Sequence, residues 1–316
     1  MKRKWIVYSV IGIVLLFIAG VAAGGFYMLN YSLTPQNRGK NEAESYKVMY
    51  AKYPFMKAWV DSLNQTSALK DTFINNKAGL CLHAYYIAAP HPTAKTAVIV
   101  HGYTDNAIRM MHIGYLYNHD LQYNILLPDL QYHGRSEGNA IQMGWKDRLD
   151  VMKWMDVAQH IYGDSTRMVI HGISMGAATT MMVSGEQQPP YVKCFVEDCG
   201  YTSVWDEFSK EIKEQFDLSP FPLLYFSSAL CKLKYGWGFK EASALNQVKK
   251  CHLPMLFIHG SVDTYVPTKM VYTLFESKPE PKELWIVPGA KHAVSYQENQ
   301  KAYTDKVQRF TSKYIQ

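Results

Sequence analysis

Apolar and polar positions divide the chain into three parts. The first is an apolar run from Trp5 to Leu29, with no charged residue between Lys4 and Arg38. A run of that length is enough to cross a bilayer as a helix, with Trp5 and Tyr27 near the two interfaces. The second part opens with a polar stretch, residues 31–45, that reads as a tether. It continues with Tyr46, Met49, Tyr50, Tyr53, Met56, Trp59, Val60 and Leu63 at helical spacing. That spacing predicts an amphipathic segment over 46–70, packed on the following domain or, alternatively, lying at the membrane surface. The third part, 71–316, alternates. Short apolar runs at 80–89, 96–100, 124–128, 168–170, 194–196, 255–258 and 284–287 are separated by helical patterns at 106–117, 145–162, 177–185, 268–276 and 299–314. Continuously apolar runs of this length suit strands covered on both faces. Repeated β-α alternation predicts an α/β fold with a mostly parallel central sheet and helices on both faces.

One interval breaks the rhythm. Between Asp198 and Met255 the chain is too long for a simple crossover and is rich in aromatics (Trp205, Phe208, Phe216, Phe221, Tyr225, Phe226, Tyr235, Trp237), with Pro220 and Pro222 dividing it. A helical cap insert at about 201–250, over one end of the sheet, is the expectation.

Charge adds a direction. The formal net charge is +6, and Lys2, Arg3 and Lys4 supply half of it. The positive-inside rule then places the N-terminus in the cytoplasm and the residues after 30 outside it. A cleaved signal peptide is the alternative, with Val21-Ala22-Ala23 as the cleavage site and a secreted or periplasmic product; the apolar run continuing through Phe26-Tyr27-Met28-Leu29 favours retention. The remaining basic residues are scattered, with no groove-reading motif beside them, so no nucleic-acid partner is expected. The five cysteines have no metal-ligand spacing, and an extracytoplasmic location would permit one disulfide.

The chemistry centres on Gly172-Ile173-Ser174-Met175-Gly176, which follows an apolar run and precedes a run of small residues. This is the strand–turn–helix context of a nucleophile elbow, where the serine sits on a strained turn and the flanking glycines let strand and helix pass closely. A serine hydroxyl needs a base within hydrogen-bond reach and a carboxylate to orient that base. Asp263 lies in the loop Gly260-Ser-Val-Asp263 after the run 255–258, and Asp198, ending an earlier run, is its rival. His292 is the only histidine downstream of Asp263. A tetrahedral intermediate also needs two convergent N–H donors. Met175, after the serine, and Tyr103, after His101-Gly102, are placed to supply them.

These residues resemble the α/β-hydrolase family over roughly 70–314. Asp129-Leu-Gln-Tyr-His133-Gly134-Arg135-Ser136 is similar to a turn that is structural in that family, so Asp129 and His133 are not expected in catalysis. Gly144-Trp145 and Asp198-Cys-Gly-Tyr-Thr-Ser203 resemble a bacterial branch with esterase-like and peptidase-like members. The resemblance implies a serine hydrolase working by acyl transfer through Ser174, His292 and Asp263, without metal or organic cofactor. Its substrate would be a small ester or a short peptide. Carboxylesterase activity is the first reading, a peptidase the second, and a binding protein on a hydrolase fold the third. The sequence leaves the oligomeric state open.

Overall fold

Seven apolar runs become seven strands of one sheet, and an eighth strand joins its edge. The computed structural model describes residues 2–316, without the side chains of Lys2 and Arg3, so most of the N-terminal basic cluster lies outside the described side chains. The strands are β1 (Lys70–Asn75), β2 (Cys81–Ile87), β3 (Lys95–Val100), β4 (Asn124–Pro128), β5 (Arg167–Ile173), β6 (Val192–Asp198), β7 (Met255–Gly260) and β8 (Lys282–Val287). Their order is β1-β2-β4-β3-β5-β6-β7-β8. β3 to β8 pair in parallel, while β1 and β2 are antiparallel additions at one edge. No apolar run marks β1 because it pairs only with β2 and none of its residues is buried.

Among the described residues twelve helices flank the sheet or precede it: α1 (Lys2–Leu33), α2 (Glu42–Lys52), α3 (Met56–Gln65), α4 (Met111–Tyr115, continued by a π-helical turn), α5 (Asp147–Tyr162), α6 (Met175–Ser184), α7 (Val204–Phe216), α8 (Leu223–Tyr235), α9 (Ala244–Val248), α10 (Lys269–Ser277), α11 (Ser295–Glu298) and α12 (Gln300–Thr311). The sheet has a core on each face. One holds Val151 and Trp154 of α5, Ala178 and Met181 of α6, and Leu274 of α10. The other holds Ile113 of α4 and Val307 and Phe310 of α12, joined by Met49, Met56 and Val60 from α2 and α3. The amphipathic segment therefore packs on the domain. α7 to α9 form the expected insert between β6 and β7.

The structure departs from a free tether. α1 runs unbroken through 21–23, and its last turns enter the body of the protein: Leu29 and Leu33 are 1% and 0% exposed. Beyond the helix, the Leu33 carbonyl accepts from the Ile141 N–H (2.8 Å), the Arg38 carbonyl from the Gly134 N–H (3.2 Å) and the Gly39 carbonyl from the Asn106 side-chain amide (2.6 Å). Polar composition was misleading because this strap is secured through its backbone. Truncating a buried leucine typically costs about 2–5 kcal/mol, so Leu33→Ala should destabilise the protein by that amount although the residue lies at the end of an apolar membrane-type segment. Denaturant unfolding with an unchanged slope would check it, and a loss below about 0.5 kcal/mol would contradict the docking of α1.

Candidate active site

Parallel strands leave their carboxyl ends at one edge, and every candidate residue lies just beyond such an end: Tyr103 after β3, Ser174 after β5, Asp263 after β7 and His292 after β8. This is where open α/β sheets bind ligands.

Ser174 joins β5 to α6 with φ +59° and ψ −120°, a conformation that costs a non-glycine residue on the order of 1–3 kcal/mol. The flanking glycines make the turn sterically feasible. A Cβ on Gly172 would run into the Gly176 carbonyl, and one on Gly176 into the Val100 carbonyl. The turn presents Ser174 Oγ 2.9 Å from His292 Nε2, and His292 Nδ1 lies 2.8 Å from Asp263 Oδ2. Asp263 is firmly held, since its Oδ1 accepts from the Tyr265 and Val266 backbone N–H groups, both at 3.0 Å. Burial alone would raise its pKa, but hydrogen bonds from His259 and His292 outweigh burial and hold it at about 2. The carboxylate is thus ionised throughout the neutral range.

His259, at the end of β7, was not singled out in the sequence. Its Nε2 lies 2.9 Å from the Val266 carbonyl, which can only accept, so Nε2 carries a proton and also points it toward Asp263 Oδ2, 3.3 Å away. The signal available was its position four residues before Asp263, next to the strand end.

The rival acid is oriented elsewhere. Asp198 Oδ2 accepts from the Tyr303 hydroxyl of α12 at 3.0 Å, and burial raises its pKa to about 6. Among the described residues its carboxylate makes no hydrogen bond to His292. Its backbone carbonyl instead accepts from Ser174 N–H (2.8 Å) and helps fix the turn.

Tyr103 and Met175 line the same cavity as Ser174, and the backbone N–H of neither donates to a protein acceptor among the described residues. Met175 opens α6, where an N–H has no intrahelical partner. The loop carrying Tyr103 is braced by two buried histidines. His101 Nε2 accepts from Leu130 N–H (2.9 Å), and His133 Nε2 accepts from Thr104 N–H (3.2 Å). Burial lowers the pKa of both, which keeps those nitrogens available as acceptors. Asp129 accepts from Ala107 and Arg135 N–H and lies 2.8 Å from His83 Nδ1, so it too ties loops together.

Cys199 Sγ, an Asp263 carboxylate oxygen and a His292 ring nitrogen fall within 4.8 Å of one another. Burial pushes the Cys199 thiol well above its ordinary range, however, and Asp263 and His292 are already bonded to each other. That donor set does not favour a cation. All five cysteines are free thiols.

The cavity over Ser174 measures about 310 Å³, near the lower end for small-molecule sites. Its wall is largely apolar: Met143 and Met175 from the sheet side, Phe208, Ile212 and Phe216 from α7, Leu224 from α8, and Phe239. Met28, Tyr31 and Ser32 of α1 complete it, although the sequence reading placed Met28 in the anchor and Tyr31 and Ser32 in the tether. One polar group stands out. Glu207 of α7 lines the cavity, is 4% exposed, and has no partner for either carboxylate oxygen among the described residues. Burial raises its pKa to about 8, even with Lys210 pulling it down, so it is mostly a neutral acid at pH 7.

The fold and this serine-centred edge define a serine hydrolase of the α/β-hydrolase fold, and the structural neighbours agree. The esterase Pf2001 of Pyrococcus furiosus superposes with a TM-score of 0.64 at 23% identity, covering 80% of this chain and 96% of that one. The acylaminoacyl peptidase of Pyrococcus horikoshii superposes with a TM-score of 0.55 at 17% identity, over 77% of this chain and 42% of that one. The chain belongs to the prolyl oligopeptidase family, whose profile matches residues 130–316. The uncharacterized protein YqkD of Bacillus subtilis is 31% identical over 225 residues, spanning 71% of this chain and 73% of that protein.

Proposed function

We propose that the protein is a membrane-anchored carboxylesterase with an extracytoplasmic catalytic domain, comprising an anchor at 1–30 and a hydrolase domain at 71–316 with its cap at about 201–250. The observation that carries the chemistry is the unbroken hydrogen-bonded chain Ser174–His292–Asp263. Ser174 Oγ attacks the ester carbonyl as His292 Nε2 takes its proton, forming the new C–O bond. The tetrahedral oxyanion is held by the N–H groups of Met175 and Tyr103, neither of which donates to a protein acceptor among the described residues. Collapse breaks the ester C–O bond, and the leaving alkoxide receives the proton from His292. Water then repeats the sequence, losing a proton to His292 and releasing the acid and Ser174. Asp263 fixes the histidine tautomer and stabilises the imidazolium while staying ionised. The apolar lining of the cavity supports an ester with an apolar acyl group.

A second reading rests on Glu207. A buried, unpartnered carboxyl in the cavity would become a carboxylate beside a substrate ammonium, which suits an aminopeptidase. A panel of short acyl esters and matched aminoacyl amides separates the two. The esterase reading predicts kcat/KM rising with acyl length, by about 1 kcal/mol of transition-state binding per methylene accepted, and exceeding that for the amides. Higher kcat/KM for amides bearing a free α-amino group, lost in Glu207→Gln, would overturn it in favour of the peptidase.

A further inference from the structure

The helix that can cross a membrane is also a wall of the cavity, and this bears on where the substrate comes from. Residues 4–20 of α1 make almost no contact with the rest of the chain and are exposed, apart from half-buried Gly12. They extend for about 25 Å at 1.5 Å per residue. A hydrocarbon layer of about 30 Å that begins at Trp5 therefore ends near Gly24 and Gly25. There the catalytic body begins. A Cβ on Gly24 would crowd Leu223 and one on Gly25 would crowd Phe226, while the Ser227 hydroxyl donates to the Gly25 carbonyl at 3.0 Å. The Lys234 ammonium, three turns along α8 from Leu223, stands 5.8 Å from the Phe26 ring centre. α8 thus packs on α1 around Gly24 to Phe26, the level at which that hydrocarbon layer would end.

The groups at this level suit a lipid interface. Phe226 and Leu233, seven residues apart on one face of α8, are exposed, as are Phe221 and Tyr225 beside them and Phe26, Tyr27 and Tyr31 on α1. Exposed aromatics with nearby lysines match the headgroup boundary. Met28 is only about one helical turn above that boundary, and it lines the cavity over Ser174. One wall of the apolar cavity therefore lies within about one helical turn of the level where acyl chains would meet water.

We infer that the substrate is a membrane-resident amphiphile with a long acyl chain in ester linkage, presented to Ser174 from the same bilayer that holds α1. The inference rests on the serine-hydrolase reading and specifies the substrate class of that site. The full chain, reconstituted in phosphatidylcholine vesicles, would be given the palmitoyl or butyryl ester of one fluorogenic alcohol. The palmitoyl ester is placed either in the same vesicles or in separate, protein-free ones. The expected result is palmitoyl hydrolysis at least tenfold faster in the shared bilayer, with the water-soluble butyryl ester insensitive to the vesicles' arrangement. Met28→Trp should lower the palmitoyl-to-butyryl rate ratio by tenfold or more. Equal palmitoyl rates in the two arrangements, or no palmitoyl hydrolysis by protein whose Ser174 still takes a fluorophosphonate, would overturn the membrane-substrate inference and leave the hydrolase intact. Failure of Ser174 to react with the fluorophosphonate would overturn both.

Discussion

Ser174→Ala is expected to lower kcat by about 10⁴–10⁶, leaving only what binding and oxyanion stabilisation supply without a nucleophile. The structure gives a reason to expect a loss at the upper end. Ser174 is held in a strained turn that places its hydroxyl 2.9 Å from His292 Nε2, and no other serine stands within hydrogen-bond reach of His292 among the described residues. Because alanine keeps the backbone turn, folding should be little affected. Mass spectrometry after fluorophosphonate treatment gives an independent check. An adduct on any other serine would remove Ser174 from the mechanism.

The second large effect separates two buried acids. Asp263→Asn should cost about 10⁴ in kcat. An asparagine there retains an oxygen for the Tyr265 and Val266 N–H groups, but its amide N–H₂ then confronts the protons that His292 Nδ1 and His259 Nε2 direct at the present carboxylate. The histidine is driven to the wrong tautomer. Asp198→Asn should cost less than about tenfold, because that side chain is engaged by Tyr303 and not by His292. Steady-state kinetics on both variants, with melting curves to show that each is folded, decides the assignment. The reverse ranking would move the acid to β6.

The central strands were legible because most of them are buried on both faces and so are written as continuous apolar runs, while β8, largely half-buried, still carries the run 284–287. β1 was not, since an edge strand with half its surface in water carries Lys70, Asp71 and Asn75 as readily as Phe73 and Ile74. That Ser174, Asp263 and His292 come together could be anticipated from chain order and turn chemistry, which act locally. Glu207 and His259 could not, because what distinguishes them is an unpartnered carboxylate in a cavity and a proton aimed across a loop. Both are properties of tertiary packing. The same limit hid the true extent of the N-terminal segment. Hydropathy saw one apolar run where the structure has two functions, an exposed length at 4–20 and a docked length that buries Leu29 and Leu33.

The Tyr103 hydroxyl donates to the carbonyl of Ser32 at 2.8 Å, one residue before α1 ends. The loop that carries a candidate oxyanion donor is thus buttoned to the N-terminal apolar helix itself. A protease that cut near 21–23 would release a body with that button in place. One that cut after Leu33 would carry the button away along with part of the cavity wall. On the proposed topology, release from the membrane and loss of activity would be separated by about ten residues of a single helix, and the site of cleavage would decide whether the liberated fragment keeps its cavity wall.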